Sequence, residues 1–121
     1  MVINTTKENL VQLFVSQATE LYNYTSSKNM VGNPNYDAKY SKKLGRDVDK
    51  TVKEIVKSPA DLSEFVKLLD NKDLLTAYLV AEYLYPLYPS KCIKIMKKFH
   101  DKIDDKIDKF TVRTKIEGLL N

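Results

Sequence analysis

Leu74-Leu75-Thr76-Ala77-Tyr78-Leu79-Val80-Ala81-Glu82-Tyr83-Leu84 is the stretch on which the fold turns. Its only charged side chain is Glu82. A helix through it is apolar around most of its circumference, so it must be covered on nearly every side. It falls short of the roughly 20 apolar residues that a membrane span needs. The cover must therefore come from the rest of the chain, and this segment is expected to be the central, most buried element. Pro86 and Pro89 end it, because proline removes an amide donor and cannot continue the helix.

The neighbours repeat at three- and four-residue steps. Upstream, Ser58-Pro59-Ala60-Asp61 restarts the chain: Ser58 can cap, Pro59 suits the first helical position, and Asp61 favours the positive end of the helix dipole. A short helix with Leu62, Phe65, Val66 and Leu69 follows, and Asp70-Asn71-Lys72-Asp73 links it to the central segment. Further upstream, Tyr36, Tyr40, Leu44, Val48, Val52 and Ile55 make one face of a helix from about Asn35 to Lys57. Gly45 lies in its middle, where a close approach by a neighbouring helix is one reason to keep a glycine. Leu10, Leu13, Phe14, Ala18, Leu21 and Tyr22 mark a first helix. Thr5 and Glu8 have capping-box spacing, so its start is placed there. It fades in the polar run Thr25-Ser26-Ser27-Lys28-Asn29, and Gly32-Asn33-Pro34 breaks the chain.

Downstream, Cys92, Ile93, Met96, Phe99, Ile103, Ile107 and Phe110 recur at helical spacing. The register fits one helix from Ser90 to about Lys109, or two with a break near Asp104-Asp105. A last short helical piece carries Val112, Ile116 and Leu119, with Gly118 expected to fray. No strand-like alternation extends beyond a few residues. The expected class is all-α: one domain over residues 1–121, with about five to six helices in antiparallel hairpins joined by short links.

Composition limits the chemistry. The 121 residues carry 20 Lys+Arg against 16 Asp+Glu, with one His and one Cys. A single cysteine excludes an internal disulfide and any zinc cluster built on cysteines. No glycine-rich phosphate loop, His-Glu-x-x-His or nucleophile elbow is present. No basic region precedes an apolar run at the start, so the reading is a cytoplasmic chain without cofactor or metal, and not an enzyme.

The segment Leu68-Leu69-Asp70-Asn71 through Leu84 resembles the middle of a HEAT-type repeat, with a Leu-Leu-Asp-Asn helix end, a short turn, and a helix with alanine at close-packed positions. The helix from Cys92 to Phe99 continues that pattern. In length and layout the chain is similar, from about Asn9 to Leu120, to the small bacterial family called domain of unknown function 2019. Thr111-Val112-Arg113 stands where that family has a Thr-Leu-Arg-like segment. The resemblance implies a HEAT-like α-α superhelix and a protein-binding scaffold, with immunity to a secreted bacterial toxin as its most concrete form.

Three features are candidates for contact. Lys39, Lys42, Lys43, Arg46, Lys50, Lys53 and Lys57 fall within a sector of roughly 100° on the Asn35–Lys57 helix. They lie opposite its apolar face, with Asp47 and Glu54 on the flank. This stripe is either a surface for an acidic partner (protein, nucleic acid or anionic head group) or a plain solvated lysine face. Only one of the seven is Arg, the residue preferred for bidentate phosphate recognition. Tyr83, Tyr85 and Tyr88 cluster at a helix end beside prolines as candidate aromatic contacts, while Tyr40 and Tyr78 are expected in the core with satisfied hydroxyls. His100, followed by Asp101, Asp104 and Asp105, reads as an exposed, ion-paired side chain on a helix rim, with Asp104 within reach four residues on. Cys92 reads as a small core residue.

The leading expectation is a non-enzymatic helical scaffold for a protein partner with an acidic surface, such as a toxin neutralised by occlusion. The alternative is a nucleic-acid-binding module using the basic stripe. No membrane partner is expected.

Overall fold

The computed structural model describes residues 9–121. Among them there are seven α-helices and no strand: α1 (Leu10–Tyr24), α2 (Ser27–Met30), α3 (Ala38–Ile55), α4 (Pro59–Lys67), α5 (Leu74–Leu84), α6 (Pro89–Lys102) and α7 (Lys106–Leu120). A 3₁₀ turn, Leu68–Asp70, extends α4. The all-α class holds. The extra helices come from α2 and from the separation of α6 and α7.

Local chemistry sets most of the boundaries. Asn9 caps α1: its side-chain oxygen accepts hydrogen bonds from the Val11 and Gln12 amides at 3.0 and 3.2 Å. The helix therefore begins at Leu10, and the Thr5–Glu8 capping box lies outside the described residues. Asp37 accepts from the Lys39 amide at 2.9 Å and starts α3 three residues later than Asn35. Tyr36 is thus not on the helix; its ring stacks on Tyr24 at 5.1 Å. Ser58 accepts from the Asp61 amide and Pro59 opens α4, as their order predicts. Asp105 accepts from the amides of Ile107 and Asp108, both at 2.9 Å, and so resolves the open question downstream. The chain breaks there into two helices. The expected short final piece is instead the second half of α7, a helix of 15 residues that includes Gly118.

Two local expectations are corrected. Ser27–Met30, placed in a fading polar run, forms a helical turn. The Asp108 carboxylate accepts from the Ser27 amide at 2.8 Å, a contact between residues 81 positions apart that no local pattern announces. Gly45 is not explained by a close approach: a side-chain carbon built on it would meet nothing within 4 Å.

One continuous apolar core draws on six of the helices. The central segment behaves as its sequence dictates, with every residue from Thr76 to Ala81 buried, and Leu84 as well. Phe14 and Phe65 are fully buried and meet edge to face at 4.8 Å. Tyr78 stacks on Phe99 at 4.4 Å. Side-chain pairs show the helix directions. Thr51 donates to Gln17 while Tyr40 donates to Glu20, so α1 and α3 run antiparallel. Phe14 meets Tyr83 while Tyr22 meets Tyr78, so α1 and α5 run antiparallel. Lys115 pairs with Glu82 while Tyr85 donates to the Leu119 carbonyl, so α5 and α7 run parallel, with α6 as the return between them.

Candidate functional site

The basic stripe is on the surface. Lys39, Lys42, Lys43, Arg46, Lys50 and Lys53 are exposed along α3, while Leu44, Val48, Thr51 and Ile55 on its other side are buried. Lys57 is exposed too, but lies beyond the helix end at Ile55. Its ammonium pairs with Glu54 at 2.8 Å. Lys43 pairs with Asp47 at 3.0 Å, and that hydrogen bond raises its pKa. Both pairs are open to water and so add little stability. Among the described residues Lys39, Lys42, Arg46, Lys50 and Lys53 have no ion-pair partner. On the helical wheel Asp49 borders the stripe on one side, and Asp47 and Glu54 border it on the other. Asp49 is also held from behind, accepting a 2.6 Å hydrogen bond from the Tyr83 hydroxyl.

The three terminal tyrosines differ in exposure. Tyr83 is half-buried edge-on to Phe14, and its hydroxyl is spent on Asp49. Burial and that bond push its pKa far up. Tyr85 is half-buried and donates to the Leu119 carbonyl at 3.1 Å, tying α5 to α7. Of the three only Tyr88 is exposed, beside exposed Leu87. Two other tyrosines depart from expectation. Tyr40 is exposed rather than core, and its hydroxyl donates to Glu20 at 2.7 Å, which raises its pKa. Tyr78 is fully buried as expected; its hydroxyl makes no well-formed hydrogen bond, and burial together with the nearby Glu82 carboxylate pushes its pKa far up.

His100 sits on the last turn of α6 with only a fifth of its side chain exposed. Its Nδ1 lies 3.0 Å from Asp101, not beside Asp104, because α6 ends at Lys102. It lines a shallow hollow with Lys106, Lys109, Phe110 and Arg113, whose guanidinium stands 5.6 Å from the Phe110 ring centre. Cys92 is fully buried, and burial raises its thiol pKa, which suppresses the reactive thiolate. No group of three or more His, Cys, Asp or Glu that could hold a metal ion occurs among the described residues. No described helix is long and apolar enough to cross a membrane.

A cleft lies where α1, α3, α5 and α7 meet, a site the sequence reading did not single out. It has a volume of about 310 Å³ and a floor that includes Leu21, Val48 and Leu79. Glu82 and Lys115 stand on its wall, paired at 3.1 Å. A smaller hollow walled by Tyr78 and Asp108 shares Tyr22, Thr25 and Lys115 with it. The only hint in the sequence was Glu82, the lone charge in the central apolar segment.

No family model, curated protein or solved structure matches this chain.

Proposed function

We propose that this chain is a non-enzymatic helical binding module that docks a protein partner with an acidic surface on the outer face of α3. The observation that carries the reading is the solvent-facing row Lys39, Lys42, Arg46, Lys50 and Lys53, unpaired among the described residues and backed by the buried face of the same helix. A row of cations on one helix face steers and orients an oppositely charged surface. The carboxylates on both borders favour a partner whose own charges are patterned. They work against a uniform polyanion, as does the scarcity of arginine. The resemblance to HEAT-type repeats and to the domain of unknown function 2019 family supports a superhelical scaffold, and extends the proposal to immunity, with the helix face occluding a toxin's active site. A cationic nuclease would call for an acidic inhibitor, so the toxin expected here is acidic.

The test compares the native chain with the triple variant K42E/R46E/K50E in capture from the source cell, followed by titration of the recovered partner. Recovery of an acidic protein with the native chain, and its loss with a variant of unchanged melting temperature, is the expected result. The competing reading is nucleic-acid binding through the same row. It predicts a complex with duplex DNA or RNA whose log affinity falls with log salt at a slope of about −4, one counterion for nearly every free cation. Such a slope with no protein partner would replace the proposal.

A further inference from the structure

Four basic side chains from two helices converge on the hollow at the joint between α6 and α7. Its volume is about 240 Å³, and its walls are His100 from the last turn of α6 and Lys106, Lys109, Phe110 and Arg113 from α7. Steps of three and four residues put the α7 members on one side of their helix. None of the three α7 cations has an ion-pair partner among the described residues. No carboxylate lines the hollow. The acids nearby in the chain are engaged elsewhere or stand outside it. Asp105 accepts from the Ile107 and Asp108 amides, Asp108 from the Ser27 amide, and Asp101 lies against His100 Nδ1. Asp104 is exposed and not in the walls.

This layout works against α7 itself. Lys106 and Lys109 stand in its opening turn, where the helix dipole disfavours cations. Lys109 and Arg113 are like charges four residues apart, which repel. Lys109 is also half-buried, so water screens it less than a free surface lysine. A bound anion turns each of these costs into an attraction. Phe110 adds an apolar element: it is 59% exposed, and the Arg113 guanidinium stands 5.6 Å from its ring centre. An exposed ring beside unpaired cations fits a ligand that joins an apolar body to an anionic group. The number of cations selects that group. A phosphomonoester carries about −1.5 to −2 charges and three acceptor oxygens, against one charge and two oxygens for a carboxylate. Arginine grips phosphate through two parallel hydrogen bonds.

We propose that this hollow binds a phosphomonoester with an apolar body, the phosphate held by Lys106, Lys109 and Arg113 with His100 as the inner wall, and the body against Phe110. The ester is either a soluble aryl phosphate or a lipid head group, which present the same chemistry. The site lies on α7 and does not depend on the role of the α3 row.

The experiment titrates the isotope-labelled full chain, at constant ionic strength, with phenyl phosphate, inorganic phosphate and benzenesulfonate, following backbone amide shifts. Phenyl phosphate is expected to bind at about 1 mM, within reach of so small a ligand, and to move amides of residues 100 and 106–113. Inorganic phosphate, which lacks the ring, should bind about fivefold more weakly. Benzenesulfonate keeps the ring and three oxygens but has one charge, and should bind about tenfold more weakly. Arg113→Gln should lose about tenfold for both phosphates, the worth of a charge-assisted bond. Phe110→Ala should lose about fivefold for phenyl phosphate alone. K42E/R46E/K50E should bind as the native chain does. A sedimentation arm offers phosphatidylcholine vesicles doped with phosphatidic acid or with phosphatidylserine. Sedimentation with phosphatidic acid only, reversed by phenyl phosphate, assigns the ester to a lipid head group; a chain that binds phenyl phosphate and stays in solution assigns it to a soluble one. Shifts centred on α3, benzenesulfonate binding as tightly as phenyl phosphate, unchanged affinity in Arg113→Gln, or no shift at residues 100–113 would overturn the proposal.

Discussion

Replacing Gly45 by alanine should stabilise the protein. Gly45 lies well inside α3, with seven helical residues before it and ten after. Glycine in a helix interior is less favourable than alanine by about 0.8–1.0 kcal/mol, because its backbone loses more freedom on folding. That gain is usually offset where the new methyl group meets a neighbour. Here nothing lies within 4 Å of the position it would take, so the full propensity difference should appear. Unfolding entropy of about 2.1 cal/mol/K per residue makes about 0.25 kcal/mol/K for a chain this long, so the melting temperature should rise by about 4 °C. Circular dichroism during heating and in urea measures both quantities, and an unchanged urea slope keeps the comparison two-state. Gly32→Ala is the contrast. Its surroundings are equally open, but its φ of +70° strains any residue with a Cβ, so it should lose about 1 kcal/mol. If Gly45→Ala is neutral or destabilising while Gly32→Ala behaves as stated, the helix face at Gly45 is not open, and the packing of α3 described here is wrong.

Three further outcomes follow from the core and the caps. Tyr78→Phe should raise stability by about 1 kcal/mol in urea unfolding, since it removes a buried hydroxyl that makes no well-formed hydrogen bond and keeps the stack on Phe99; a loss of that size would show that the hydroxyl is bonded in solution. Phe65→Ala should cost about 3–5 kcal/mol, because the ring is fully buried against Phe14 and its removal leaves a cavity. Asp105 is held below the ordinary carboxylate value of 3.8, chiefly by the Asp108 amide donated to it. A depressed folded-state pKa means that its contribution is complete above the ordinary value and is lost as pH falls through the lowered one. Asp105→Asn should therefore flatten the acid limb of melting temperature against pH below about 4.

Where one segment's chemistry suffices, the fold is legible. Ser58-Pro59 opens α4 because a cap and a proline act within one turn. The Cys92–Met96 register is buried because that spacing puts both side chains on one side of α6. The stripe from Lys39 to Lys53 is solvent-facing because the opposite side of the same helix is apolar. Misreadings occur where two segments compete for one role. Tyr40 has the spacing of a core residue, but it sits in the first turn of α3, where its hydroxyl reaches Glu20. Tyr83 and Tyr85 each find a hydrogen-bond partner 34 residues away, which no local spacing announces.

Periodicity and capping, read along the chain alone, determine that these residues make helices, that the Leu74–Leu84 rod lies at the centre, and that α3 shows lysines to water. These are properties of neighbours three and four residues apart, and the helical repeat sets those distances in advance. The cleft belongs to the tertiary structure only. Glu82 meets Lys115, and Tyr22 meets Tyr78, because α1, α5 and α7 converge. The burial of the Tyr78 hydroxyl depends on how those three rods pack, which no spacing within one rod encodes.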